Sequence, residues 1–284
     1  MPRERLGILG LGLIGGSLAL ALKGKRGAPQ VWGCDRNKAY ERRALDSGSI
    51  SRACTLAELA SCDIVVVCIP VKASLSAIRI LSAKMRQGSV LTDVGSVKTE
   101  IVKTGERFAP KGVSFVGGHP IAGTEKSGFL AADPFLFRGR SFIMTPTSRT
   151  DEKTMQRVGR LWKLAGSKTV LRMDPKTHDR IFAYVSHLPH VAAYALVHSL
   201  GALRSHIPLG YSAGGFRDTT RIASSNPDMW RDIVMQNHKE VLRAIAQYRR
   251  TLDLLADRIA SSDAEGVKNI FAKAKQTRDA LEKI

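Results

Sequence analysis

Near the N-terminus, a short apolar run over residues 6–11 leads into Gly10-Leu11-Gly12-Leu13-Ile14-Gly15-Gly16-Ser17, and apolar residues continue at helical spacing over 18–22. A strand, a glycine turn and a helix start in that order form the cradle that holds a dinucleotide pyrophosphate. Gly10 permits the tight turn, Gly12 lets a phosphate approach the backbone, and Gly15 lets the helix pack on the strand. Leu13 and Ile14 complete the cradle at the helix start, where unpaired N–H groups and the helix dipole favour negative charge. A chain that begins this way is committed to a parallel α/β sheet.

The next element supports the same reading. Residues 31–35 form a second strand ending in Asp35, 20 residues beyond Gly15. A carboxylate there accepts hydrogen bonds from both hydroxyls of an adenosine ribose and repels a 2′-phosphate, which favours NAD over NADP. The neighbouring Arg36 tempers that preference, because it can stack on adenine or accommodate the phosphate. Residues 63–69 are a continuous β-branched run, as in a strand buried on both faces, and Pro70 ends it. Residues 89–94 repeat the pattern and lead through Gly95-Ser96-Val97-Lys98 into a helix reaching about residue 108. Ser96 therefore falls at the ligand edge of the sheet, either capping that helix, contacting a ligand, or both.

A strand over 113–116 delivers the stretch Gly117-Gly118-His119-Pro120-Ile121-Ala122-Gly123-Thr124-Glu125-Lys126-Ser127-Gly128. It reads as a loop that sets one histidine among glycines able to bring backbone close to a ligand, and it is the candidate seat of the chemistry. Further strands over 140–145 and 169–173, with a helix over 151–165 between them, close a first domain spanning residues 1–173.

Asp174-Pro175 then supplies an N-cap and a first-turn proline for a helical domain spanning 174–284. Residues 177–204 read as one long helix bent at Pro189. His187 and His190 flank that bend without a carboxylate or cysteine at metal spacing, so they read as core or ligand-facing histidines and no metal site is expected. Over 214–223, Arg217 and Arg221 are i,i+4 neighbours and Asp218 and Arg221 an i,i+3 pair. That pattern suits either an exposed salt-bridged face or a bidentate grip on a carboxylate. Asn226-Pro227 starts another helix. From Val241, the apolar residues Ile245, Tyr248, Leu252, Leu255 and Ile259 keep heptad spacing, which predicts a packed seam and a homodimer built on it. Residues 263–284 form a last polar helix.

Composition narrows the partners. The 44 Lys and Arg against 25 Asp and Glu give a net charge of +19, which suits nucleic acid or small polyanionic substrates. Aromatics are only 6% and the basic residues are scattered, so a nucleic-acid stripe is not expected. Cys34, Cys54, Cys62 and Cys68 make no paired or zinc spacing and read as free thiols in the cytoplasm. The N-terminus has no signal-peptide layout. Residues 181–203 lack charge, yet their histidines, proline and serines fit a buried helix better than a membrane span.

Taken together, Gly-Leu-Gly-Leu-Ile-Gly-Gly-Ser, Asp-Val-Gly-Ser-Val-Lys at 93–98, the His-Pro-Ile-Ala-Gly-Thr-Glu-Lys-Ser-Gly stretch, Ser-His-Leu-Pro-His at 186–190 and Gly-Gly-Phe-Arg-Asp-Thr-Thr-Arg-Ile-Ala resemble the prephenate and arogenate dehydrogenases of tyrosine biosynthesis. The resemblance covers nearly the whole chain. It implies a Rossmann dinucleotide-binding domain, an all-α helical dimerisation domain, and oxidative decarboxylation of a cyclohexadienol with NAD. It assigns His119 as the base toward the ring 4-hydroxyl, with Ser96 orienting it. It assigns Arg221 to the departing carboxylate, His190 to the pocket lining, and Thr124, Glu125, Asp218 and Arg217 to the wall, Arg217 from a partner subunit. Another Rossmann dehydrogenase, of the hydroxyacid or imine-reducing kind, would share the fold but leave His119 and Arg221 unexplained. Prephenate and arogenate differ at the side chain remote from C4, and no residue in the sequence decides between them.

Overall fold

The computed structural model describes residues 3–124, 126–202 and 212–282, so Glu125 and the predicted helix end at residues 203 and 204 lie outside the described residues. The chain divides into two compact units, Met1–Asn237 and His238–Ile284.

The first unit is built on an eight-stranded sheet of order β3-β2-β1-β4-β5-β6-β7-β8. Its strands are β1 (Arg5–Leu9), β2 (Gln30–Cys34), β3 (Arg52–Ala53), β4 (Ile64–Val67), β5 (Val90–Asp93), β6 (Ser114–Pro120), β7 (Ser141–Thr145) and β8 (Thr169–Arg172). The first six run parallel in the doubly wound 3-2-1-4-5-6 order. β4 shows why. Ile64 and Val66 enter one hydrophobic cluster with Trp162 and Phe142, while Val65 and Val67 enter another with Leu91 and Ile78. A strand apolar on both faces is stable only between two helical layers. Those layers are α1 (Leu13–Leu22), α2 (Lys38–Asp46), the short α3 (Leu56–Leu59), α4 (Val71–Ser82), α5 (Thr99–Phe108) and α6 (Glu152–Ala165).

Beyond β8 the structure is helical. Asp174 accepts from the Lys176 and Thr177 N–H groups and Pro175 opens α7 (Pro175–Phe182), as the sequence predicts. The single bent helix expected over 177–204 is instead three pieces: α7, a π-helical turn Ala183–His187, and α8 (Leu188–Ser199), followed by a 3₁₀ turn. Pro189 has no N–H to give, and the turn before it lengthens so that the Leu188 N–H reaches the Ala183 carbonyl. α9 (Gly214–Thr220) stops one residue before Arg221, which begins a 3₁₀ turn, Arg221–Ser224. Arg217 and Arg221 are thus not on one continuous α-helix. The Thr220 hydroxyl donates to the Phe216 carbonyl at 2.6 Å, a back-bond that competes with helix continuation. α10 (Pro227–Gln236) follows its Asn226 cap.

The second unit consists of α11 (His238–Ala260) and α12 (Ala264–Leu281), the latter capped by Asp263. Leu242, Tyr248, Leu252, Ile259 and Phe271 are exposed on this chain, Ile259 at 65%. No helix among the described residues is long and apolar enough to cross a membrane.

Candidate active site

His119 is not on a loop. β6 is seven residues long; its first three pair with β5, and Gly117 to Pro120 pair antiparallel with β7, His119 opposite Ile143. β5 has ended at Asp93 by then, so His119 projects past the carboxyl end of β5 while β7 still holds its backbone. On the β5 side two buried side chains replace the missing ladder. The Gly118 N–H donates to Asp93 Oδ1 at 3.1 Å, and Lys98 Nζ donates to the Gly118 carbonyl at 2.7 Å. Lys98 and Asp93 also pair with each other, and both are fully buried. The glycines before His119 are required by this packing rather than by a ligand. A Cβ at Gly117 would lie 2.4 Å from Thr145 Oγ1, and one at Gly118 2.5 Å from the Phe142 ring. Gly123, in the loop beyond, has open space.

The half-buried His119 ring meets a network from α7. Its Nδ1 is 2.9 Å from His178 Nε2, and His178 Nδ1 is 2.9 Å from Asp179 Oδ1. Phe182 packs on both rings, 4.8 Å from His119 and 4.4 Å from His178 between centroids. Asp179 also accepts from the Lys98 and Thr99 N–H groups at 2.7 and 2.8 Å, so it caps α5 from another helix. Ser96, three residues before α5, is therefore not its cap; the cap residue is Lys98, and the capping carboxylate comes from Asp179. Burial, then the electrostatic effects of His178, Lys98 and His187, push the His119 pKa well below its ordinary 6.5. The ring is thus a neutral acceptor at neutral pH. Burial lowers Lys98, with Asp93 working against it. Burial pushes the Asp179 carboxyl up, yet hydrogen bonds from His178, Thr99 and the Lys98 N–H together hold it below its ordinary value.

The predicted residues of the helical part join this cluster in part. His187 is fully buried and receives the Asn237 amide at 3.2 Å, while the same amide donates to the Asp179 carbonyl at 2.8 Å. The backbone carbonyl of half-buried Ser96 acts on His187, which places Ser96 beside the histidines. His190 stacks on Trp230 at 3.4 Å between centroids; burial lowers its pKa, the Ser186 carbonyl opposes that, and the charge of Arg221 adds to the lowering. Electrostatic effects run from His119 to His187, from His187 to His190 and from His190 to Arg221, with the Ser96 carbonyl acting on His187. Thr124 is exposed and lines a polar cavity of about 460 Å³ with Asp133, Arg138 and Arg140, whose walls share no residue with that cluster. Arg217 and Asp218 are exposed on α9, Arg217 Nε lying 3.4 Å from Ser212 Oγ. Glu125 lies outside the described residues.

The glycine turn fits a dinucleotide. Gly10 has φ +94, and a Cβ there would stand 2.5 Å from the Cys68 carbonyl oxygen; at Gly15 one would stand 1.9 Å from the Gly10 oxygen. At Gly12 nothing lies within 4 Å, and no side chain caps α1, so the N–H groups around Leu13 and Ile14 remain for a phosphate. Asp35, at the end of β2, accepts from Leu11 N–H at 2.6 Å and Asn37 N–H at 2.7 Å, which fixes the carboxylate beside the turn. Each of its oxygens keeps a second lone pair for a ribose hydroxyl. Arg36 next to it is exposed.

His178 and Asp179 escaped sequence reasoning, because a His-Asp pair in the first turns of a helix looks like ordinary surface. The adjacency of the two residues behind an Asp-Pro start was the sole signal.

A 3-2-1-4-5-6 sheet with a glycine cradle and an unprotonated histidine, both at the carboxyl ends of its strands, defines a dinucleotide-dependent dehydrogenase. Residues 18–171 match the family model of the prephenate dehydrogenase nucleotide-binding domain, and residues 174–273 that of the prephenate dehydrogenase dimerization domain. The chain belongs to the prephenate dehydrogenase family. It is 36% identical to a prephenate dehydrogenase of Bacillus subtilis over 98% of this chain and 76% of that protein. It is 32% identical to a cyclohexadienyl dehydrogenase of Zymomonas mobilis over 98% and 96%. A crystal structure of Aquifex aeolicus prephenate dehydrogenase, in complex with hydroxyphenyl propionate and NAD+, superposes with a TM-score of 0.91 at 36% identity, covering 99% of each chain.

Proposed function

We propose that the protein carries out NAD-dependent oxidative decarboxylation of prephenate to 4-hydroxyphenylpyruvate and carbon dioxide. The observation that carries this reading is His119: a neutral, half-buried imidazole fixed on a strand past the end of β5, with the charge of Lys98 acting on it. Bound NAD supplies the acceptor for the hydride that leaves ring carbon 4. His119 takes the proton of the 4-hydroxyl, and Ser96 orients that hydroxyl. Arg221 holds the ring carboxylate, whose loss is driven by aromatisation, and His190 lines the pocket. Asp218 and Arg217 form its wall, Arg217 reaching a partner subunit's site. Gly10, Gly12, Leu13, Ile14 and Gly15 bind the pyrophosphate, and Asp35 with Arg36 the adenosine ribose. This chemistry requires positioned charges and one base, and the residues supply both.

The functional division falls at 173/174, between the NAD-binding sheet and the helices. The exposed apolar side chains of α11 and α12 support a homodimer closed through the helical half. The unpaired thiols of all four cysteines support a cytoplasmic setting.

Arogenate is the second reading, favoured by the similarity to a cyclohexadienyl dehydrogenase. Purified protein mixed with NAD and each substrate in turn, with NADH followed by absorbance, tests both. NADH from prephenate supports the first reading and NADH from arogenate alone the second. NADH from neither refutes the function. A His119→Asn variant is expected to lose about 10²-fold or more in kcat with KM nearly unchanged.

A further inference from the structure

The hydrogen-bond chain behind His119 has a direction that the ring contacts alone do not give. Asp179 is held below its ordinary carboxyl range and, ionised, can only accept. His178 Nδ1, 2.9 Å from Asp179 Oδ1, must then carry the proton. In a neutral His178 the other nitrogen, Nε2, is a bare acceptor. His119 Nδ1, 2.9 Å from it, must in turn be the donor, which leaves His119 Nε2 without a proton. The carboxylate cannot swing out of this role. Two backbone N–H groups of the α5 start hold it, and Phe182 stacks on the His178 ring.

Charge tells where a proton gained by His119 is best tolerated. The groups facing the pair are Lys98 from the start of α5, Asp93 at the end of β5, His187 from the π-turn and Asp179 itself. At His119 the effects resolved are burial and the electrostatic effects of His178, Lys98 and His187, all unfavourable to an imidazolium. Burial and Lys98 act on His178 too, but Asp179 and Asp93 oppose them.

We propose that His178, backed by Asp179, is a positioning residue that locks His119 as the Nδ1–H tautomer, presents its bare Nε2 to the substrate hydroxyl, and shares the positive charge that results. The inference rests on the reading of His119 as the base. In the step, the substrate O–H bond breaks as its proton joins His119 Nε2. The Nδ1 proton of His119 shifts toward His178 Nε2, Asp179 stays ionised, and no electrons move along the chain.

Two variants separate this role from simple packing. His178→Gln keeps an oxygen acceptor for His119 Nδ1–H but cannot take up a proton; His178→Leu removes both. Nitrogen NMR of ring-labelled protein, with His119 assigned through His119→Asn, reads the tautomer directly. The expected result is Nδ1–H in the wild type and in His178→Gln, and a mixture with Nε2–H in His178→Leu. In steady-state NADH assays, His178→Leu is expected to lose roughly a hundredfold in kcat and His178→Gln roughly tenfold, with substrate KM little changed and NAD binding intact. An unchanged tautomer in His178→Leu, or equal kcat losses in both variants, overturns the proposal. If the wild type gave no NADH from either substrate the functional reading would fail, while the NMR measurement would still decide the tautomer lock.

Discussion

Lowering the pH from 7 to 5 is expected to cost this fold about 2 kcal/mol through His187 alone. His187 is completely buried, and its pKa is pushed down to about 4, chiefly by burial, with Asp179 opposing and His178 and His190 adding to it. In the unfolded chain the same ring titrates near about 6.5. Between these values the unfolded chain binds a proton that the folded chain refuses, so stability is complete above the unfolded value and falls as the pH drops through the window. At pH 5 the difference approaches one and a half pKa units, or about 2 kcal/mol. His119 and His178 are lowered as well and act in the same direction. The depressed carboxyl of Asp179 contributes only in more acid solution, below about pH 4. Urea unfolding at pH 7, 6 and 5, followed by fluorescence of the buried Trp162 and Trp230 at fixed protein concentration, measures the loss. His187→Gln should remove about one proton from the pH slope. A wild-type loss below about 1 kcal/mol, or a slope unaltered by the substitution, would refute the assignment of a buried neutral ring.

The Lys98→Met variant leaves Asp93 buried without its cation and the Gly118 carbonyl without a donor, so a loss of about 3–5 kcal/mol in the same urea titration is expected. A loss under about 1 kcal/mol would show that the pair does not hold β6. Leu252→Glu, placed on the exposed stripe of α11, should shift sedimentation from dimer to monomer. A dimer that persists would move the subunit contact elsewhere.

The parts legible in the sequence are those written in local patterns. The glycine turn, the position of Asp35 and the β-branched run of β4 each declare themselves within a few residues, because turn geometry and burial act on neighbours. The Asp174 cap and the Asn226-Pro227 helix start are equally local. What stayed hidden depends on partners far away in the chain. His119 looked like a loop residue because four of its flanking positions are glycine or proline, residues that usually end strands. Its strand exists because β7, more than 20 residues later, supplies the ladder and Asp93 and Lys98 supply the rest. Asp179 capping α5 across some 80 residues, and the π-turn that accommodates Pro189, have no periodic signature at all.

The extension of β6 past β5 separates two tasks that many active sites combine in a single loop. His119 is mounted on the sheet, its backbone held by β7 on one side and by Asp93 and Lys98 on the other. The segment that follows, residues 121–128, begins only after the strand has ended. Length and side chains there can drift while His119 stays where it is. A fold arranged this way can remodel the loop without moving the histidine.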